Sequence, residues 1–241
     1  MRVGVLSSVK SPMLPPFIAA LHAAGITDLA VLLDEKTDSD KNLDIWRERT
    51  GGFFENQPGI PATLHGFTAH VPPAYFVGNH NGPVCLELLR QLGCGVLING
   101  GTPRKLKSET LSATPHGVIN VHPGMLPKYR GASCVEWAIY NGDQVGNTAH
   151  FMTEGYDEGP IIAVEGYEFP KDADYQLIRC LTYKYGFDLM AKTVRDVIAR
   201  GLTAQQLAPQ EPGQYWKPIP PDKMEEVKRK VAAREYKYLT L

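Results

Sequence analysis

Five short apolar runs occur before residue 123: "RVGVL", "DLAVLLDE", "AYFVGN", "CGVLING" and "GVINV". Between them lie segments with helical periodicity. "PPFIAALHAAG" carries proline in its first turn and Gly25 at its end, and "KNLDIWRERTGG" is stopped by glycines. "GPVCLELLRQLG" and the shorter "KSETLSA" follow the same pattern. Strands this short and this uniformly apolar must be covered on both sides. Alternated with helices, they predict an α/β, Rossmann-like fold: a mostly parallel sheet with helices on both faces. Residues 51–74 are rich in Gly, Pro and Thr and show no period.

The second half changes character. "SCVEWAIYNGD" reads as a short helix carrying Trp137, and "NTAHFM" and "GPIIAVEGYEF" read as strands. A long helix is predicted over "DADYQLIRCLTYKYGFDLMAKTVRDVIARG", capped by Asp174 and ended by Gly201. From about Leu207 periodicity is lost in "APQEPGQYWKPIPPDK", and "KMEEVKRKVAAREYKYL" then reads as a charged surface helix. The expected division is a main domain over residues 1–206 and a short C-terminal extension over 207–241, without internal repeats.

Composition narrows the function classes. A net charge of -1 over 241 residues disfavours nucleic acid as main partner, because a polyphosphate-binding surface is basic. The opening "MRVGVLSSVK" has too short an apolar run for a signal peptide, and no segment approaches the roughly 18 apolar residues of a membrane span. Cys85, Cys94, Cys134 and Cys180 lie far apart without a CxxC pair. They read as reduced, buried thiols in a cytoplasmic protein with no membrane partner.

Chemistry concentrates at "INVHPGMLPKYRG", where prolines and glycines end the fifth apolar run. Ligands of open parallel sheets bind beyond the carboxyl ends of the strands, which is where Asn120 and His122 fall. Asn120 capping a turn and His122 as a satisfied, half-buried histidine is the competing reading. A working histidine needs a carboxylate. Asp157 in "TEGYDEGPII" is the candidate, with Glu154 and Glu158 as competitors that spacing does not separate. No zinc spacing, GxSxG, P-loop or GxGxxG is present. "LSSVKSPM" has no glycine where a dinucleotide fold carries several, which argues against NAD or FAD. Lys10 and Ser11, before the first helix, are either contacts for an anionic substrate or ordinary loop residues.

Taken together, Gly117 to Ile162 resembles the folate-dependent formyltransferase superfamily. The resemblance rests on Asn120, His122, Pro123, Leu126, Pro127, Arg130 and Gly131, then on Gly146, Thr148, Asp157 and Gly159. Weaker similarity runs from Met1 to Gly201. The resemblance implies a catalytic trio of Asn120, His122 and Asp157, with 10-formyltetrahydrofolate as cosubstrate and no metal. It implies a pterin-cradling loop at Gly101, Thr102, Pro103, Arg104, Lys105 and Leu106, acting largely through backbone groups. Asn120 and protonated His122 would then donate to the developing oxyanion, with Asp157 holding His122.

Within the superfamily, the glycinamide ribonucleotide enzymes carry a Gly-rich first loop that "SSVKSPM" lacks. The tRNA enzymes carry a basic C-terminal domain where this chain has a short tail. "GTPRKL" and "VEWAIYNGD" look most like the enzymes that formylate nucleotide-linked amino sugars. Lys10, Ser11, Tyr129 and Arg130 are the sequence candidates to hold such an acceptor. Tyr215 and Trp216 would either stack on its base or dock the tail onto the core. Glycinamide ribonucleotide as acceptor, hydrolysis of 10-formyltetrahydrofolate, and non-catalytic folate binding are the competing functions. The hydrolases carry an N-terminal regulatory domain, whereas this chain starts at its first strand. The oligomeric state stays open between monomer and homodimer.

Overall fold

A computed structural model describes residues 1–37, 40–55 and 71–241. Residues 56–70 of the Gly-, Pro- and Thr-rich stretch lie outside them. The five apolar runs form β1 (Arg2–Ser8), β2 (Leu29–Asp34), β3 (Ala74–Gly78), β4 (Cys94–Asn99) and β5 (Val118–His122). They pair in parallel in the order β3-β2-β1-β4-β5. Two helices, α1 (Leu14–Ala23) and α2 (Asp40–Thr50), flank β2, and α3 (Pro83–Leu92) and α4 (Ser108–Leu111) flank β4. Beyond the loop after β5 come β6 (Arg130–Gly131), α5 (Cys134–Asn141), β7 (Gly146–Phe151) and β8 (Ile161–Gly166). β7 and β8 extend the sheet antiparallel, which completes seven strands.

The period-2 geometry of a strand sorts the apolar residues onto two faces. Val3, Val5, Val31, Val96, Ile98 and Ile119 pack toward α1 and the long helix α6 (Tyr175–Arg200). Their sequence neighbours Ala30, Leu32, Leu97 and Val118 pack toward α3, with Cys85 and Leu89. Both faces are thus covered, which is why the runs show no polar alternation. Asp174 caps α6 by accepting from the Leu177 N–H, and Gly201 ends it in the left-handed conformation.

The chain after residue 207 is folded onto this frame. β9 (Tyr215–Trp216) pairs in parallel with β6. Val227 and Val231 of α7 (Pro221–Ala232) and Tyr236 beyond it are buried with Tyr129, Val135 and Ile139 in a third cluster. The final helix ends at Ala232, short of its predicted extent to Leu239. Arg234 adopts φ 60° there, and the Tyr236 hydroxyl turns inward, donating to Asp143 O and accepting from the Val145 N–H. Leu239 then bridges to Phe169.

Candidate active site

β5 and β7 run antiparallel in a register that sets Asn120 opposite His150 and His122 opposite Thr148. Asn120 Nδ2 lies 3.1 Å from His150 Nε2. His150 Nδ1 lies 2.9 Å from Phe151 O. A carbonyl only accepts, so Nδ1 carries the hydrogen and Nε2 accepts from Asn120. Burial is the main reason that the His150 pKa falls to about 4, so this imidazole is neutral near pH 7.

Asn120 is held on its other side as well. Asn99, at the end of β4, donates from Nδ2 to Asn120 Oδ1 at 2.9 Å. Asn99 Oδ1 accepts from the Gly101 and Thr102 N–H groups at 3.0 and 2.8 Å. Asn120 therefore keeps one orientation, with one of its two amide hydrogens left for an acceptor other than His150.

His122 is 4% exposed. Its Nε2 donates to Tyr129 O at 2.8 Å, which leaves Nδ1 facing Asp157 Oδ1 at 3.4 Å. His150 Nε2 lies 3.7 Å from the same oxygen. The other oxygen, Oδ2, accepts from the Gly131 N–H at 3.0 Å. Asp157 thus sits between two imidazoles, at φ 55°, a conformation that Asp tolerates better than most residues. Glu154 and Glu158 are exposed, so the geometry selects Asp157 among the three carboxylates. Gly159 lies so close to β7 that a Cβ would stand 1.7 Å from Phe151 O.

A cavity of about 330 Å³ opens beside this cluster. It is lined by residues 102–106, by Asn99, Asn120 and His150, and by Met152, Tyr156 and Asp157. Of the loop assigned to the pterin, Thr102, Pro103, Arg104, Lys105 and Leu106 border this cavity, whereas Gly101 borders a different one. Arg104 is tied to the sheet: Nε contacts both oxygens of the fully buried Asp34, at 2.7 and 2.9 Å. Burial raises the Asp34 pKa, but Arg104 and the His80 and Lys36 N–H groups outweigh it, leaving the pKa below its ordinary value. Buried His80 contacts Thr102 Oγ1 at 2.7 Å, and Asn81 donates to Lys105 O at 3.0 Å. Asn99, Asp34, His80, Asn81 and His150 were thus all missed in the sequence. The dense polar residues in "GNHNGP" and "NTAHFM" hint at His80, Asn81 and His150, and nothing in the sequence singles out Asp34 or Asn99.

Three of the expected site residues are engaged within the protein. Tyr129 and Arg130 do not present themselves to a substrate. Tyr129 is 1% exposed, stacked on Trp216 with ring centroids 5.6 Å apart, and its hydroxyl donates to Asp143. Arg130 donates to Gln210 Oε1 at 2.9 Å and to Glu211 O at 2.8 Å. His122 lines neither cavity, and its two nitrogens face Tyr129 O and Asp157 Oδ1. Trp216 docks on Trp137 and Tyr129, while Tyr215 stays exposed. Lys10 is exposed and Ser11 half-buried beside Gly101.

The tail reaches the site through one side chain. Gln210 Nε2 donates to Asp157 O at 3.2 Å and to Gly159 O at 2.5 Å, while its Oε1 accepts from Arg130. Trp216 Nε1 donates to Lys128 O, and Trp137 Nε1 donates to Lys217 O. The segment over 210–217 is therefore a strap across the β5–β6 loop and the Asp157 loop.

Burial raises the pKa of Cys85 and Cys180 to about 12 and of Cys94 to about 11. All four thiols are free and buried. Among the described residues, no group of three or more His, Cys, Asp or Glu is arranged to hold a metal ion. No described helix is long and apolar enough to cross a membrane.

Residues 79–179 match the family described as formyl transferase. Over 137 residues the chain is 30% identical to the methionyl-tRNA formyltransferase of Syntrophus aciditrophicus (strain SB). That alignment spans 56% of this chain and 42% of the relative's length. The fold resembles glycinamide ribonucleotide transformylase 1 from Symbiobacterium toebii, with TM-score 0.59 and 21% identity over 83% of this chain and 88% of that one. It also resembles a sugar N-formyltransferase from Shewanella sp FDAARGOS_354, with TM-score 0.57 and 16% identity over 91% and 77% of the two chains.

Proposed function

We propose, from the premise that this chain belongs to the formyltransferase superfamily, that it transfers a formyl group from 10-formyltetrahydrofolate to a primary amine. The observation that carries this reading is the cluster of Asn120, His150, Asp157 and His122 at the edge of a cavity of about 330 Å³. The pterin lies along residues 102–106, and its formyl carbon reaches Asn120. The amine attacks that carbon, and the C–N bond forms as the carbonyl oxygen takes up negative charge. The free amide hydrogen of Asn120 stabilises that oxygen, held in place by Asn99 and His150. The ammonium proton passes to Asp157, which lines the cavity, and is shared with His122 Nδ1. Returned to N10, it lets the C–N10 bond break and tetrahydrofolate leave. His122 is thus the partner of Asp157 and does not touch the oxyanion.

A nucleotide-linked amino sugar is the acceptor expected from sequence. The fold's likeness to a sugar N-formyltransferase is matched by its likeness to glycinamide ribonucleotide enzymes and does not choose between the two acceptors. The amino-sugar acceptor is weakened by the engagement of Tyr129 and Arg130 within the protein, which leaves Lys10 and Ser11 of the four candidates.

Two measurements test the reaction. Calorimetry with 5-formyltetrahydrofolate is expected to show saturable binding; none at millimolar ligand removes the reading. Tetrahydrofolate release is expected to require an added amine; release without one would make the protein a hydrolase. Asn120→Ala is expected to lower kcat about 10²–10³-fold and His122→Ala about 10²–10⁴-fold, with folding unchanged. Asp157→Asn is expected to exceed Glu154→Gln and Glu158→Gln in damage.

A further inference from the structure

Asn120 borders a second cavity, of about 270 Å³, on the opposite face of the sheet from the folate loop. Formyl transfer needs the amine and the donor at one carbon. If the donor occupies the first cavity, as proposed, a second reactant next to Asn120 occupies this slot. Its walls are Met13 and Phe17 of α1, Val121 and Pro123 of β5 and its loop, and Tyr183 and Phe187 of α6. Phe17 and Phe187 contact edge to face at 5.2 Å. The polar N–H and O–H donors deeper in the slot are already engaged. Asn147 donates to Thr182 O and Tyr167 Oη, and Thr182 Oγ1 donates to Ile178 O. Among the described residues no lysine, arginine or histidine lines it.

The start of α1, beside the slot, is where a phosphate would be held if N–H groups were free. Here they are not. Pro15 and Pro16 remove two N–H groups from the first turn. The Val9, Ser11 and Leu14 N–H groups donate to Asp34 O, Ser8 O and Ser11 O. An anion inside the slot would find no countercharge among the residues that line it.

We infer that the acceptor is a primary amine carried on an uncharged, apolar group that fills this slot, with no phosphate inside it. The inference rests on the formyl-transfer reading and replaces the nucleotide-linked sugar as its acceptor. Attack leaves the amine nitrogen at Asn120 and the apolar group against Phe17, Tyr183 and Phe187.

The test uses the full chain with 10-formyltetrahydrofolate and a graded series of α-amino amides, from alaninamide through 2-aminobutyramide and norvalinamide to norleucinamide. Their amines titrate near pH 8, so the nucleophilic form is present at assay pH. Each added methylene is expected to raise kcat/KM about fourfold, the rate equivalent of about 0.8 kcal/mol per buried CH₂. Calorimetric affinity is expected to rise in parallel, so the slot is read even where turnover is slow. Met13→Ala, which shortens one wall, is expected to move the optimum toward longer amides. Glucosamine 6-phosphate, glycinamide ribonucleotide and a nucleotide-linked amino sugar form the charged arm. A flat series in both rate and affinity, or a higher kcat/KM for any charged acceptor, overturns the inference. Either result leaves formyl transfer standing if 5-formyltetrahydrofolate binds and amines are turned over. Failure of 5-formyltetrahydrofolate to bind instead removes the donor reading, and the slot inference with it.

Discussion

At the scale of single residues, the site depends on side chains that hold other side chains. Asn99 makes no contact that chemistry alone would require, yet it sets which end of the Asn120 amide faces His150. Asn99→Ala is expected to lower kcat about 10–100-fold, less than the loss of the Asn120 donor itself. Asn99→Asp is expected to do at least as much harm, because a carboxylate facing Asn120 Oδ1 favours the flipped amide. Single-turnover rates at saturating folate check both, and wild-type rates would show that Asn120 needs no such support. His150 yields a stability test. Its pKa is about 4 in the fold against about 6.5 in the unfolded chain. The unfolded chain then binds the extra proton between those values, so His150 lowers stability as pH falls from about 6.5 to 4 and has no effect above that window. The difference in unfolding free energy is on the order of 3 kcal/mol across it. Urea titrations at pH 7 and pH 4.5 are expected to show a smaller acid loss in His150→Gln than in the parent; equal losses would show that His150 is not buried neutral.

At the scale of elements, the strap over 210–217 separates stability from catalysis. Gln210→Ala removes four hydrogen bonds, to Asp157, Gly159 and twice to Arg130, but little apolar packing. It is expected to lower kcat about tenfold while shifting Tm by only a few degrees, with Gln210→Glu unable to rescue because it cannot donate to both carbonyls. Trp216→Ala, which empties the stack between Tyr129 and Trp137, is expected instead to cost about 3 kcal/mol of stability. Equal effects of the two on both quantities would refute the division. The parallel core was legible because β1, β2, β4 and β5 are apolar on both faces, a pattern few other folds produce. The strap was not. β6 and β9 are two residues each and carry no periodicity, and Gln210 sits in a run of Pro, Gln and Glu that reads as loop. The pairing of Asn120 with His150 was also illegible, because a one-residue slip of β7 would face Asn120 with Ala149 or Phe151 instead, and only the folded register decides.

At the scale of the whole molecule, the sheet divides two cavities that meet at Asn120, and its buried thiols report on its integrity. With Cys85, Cys94 and Cys180 held at about 12, 11 and 12 by burial, a thiol reagent at pH 8 is expected to label no cysteine in the native protein and all four after denaturation. Labelling of a native thiol would show that one of the cores opens locally. Arg130 and the loop it ends are made some 80 residues before Gln210 and Glu211, the residues that hold them. At about 5–20 residues per second, the ribosome needs roughly 4–16 s to cover that distance. Through that interval the emerging chain carries Asn120, His122 and, for most of it, Asp157, but lacks the Gln210 side chain that donates to Asp157 O and Gly159 O in the finished fold.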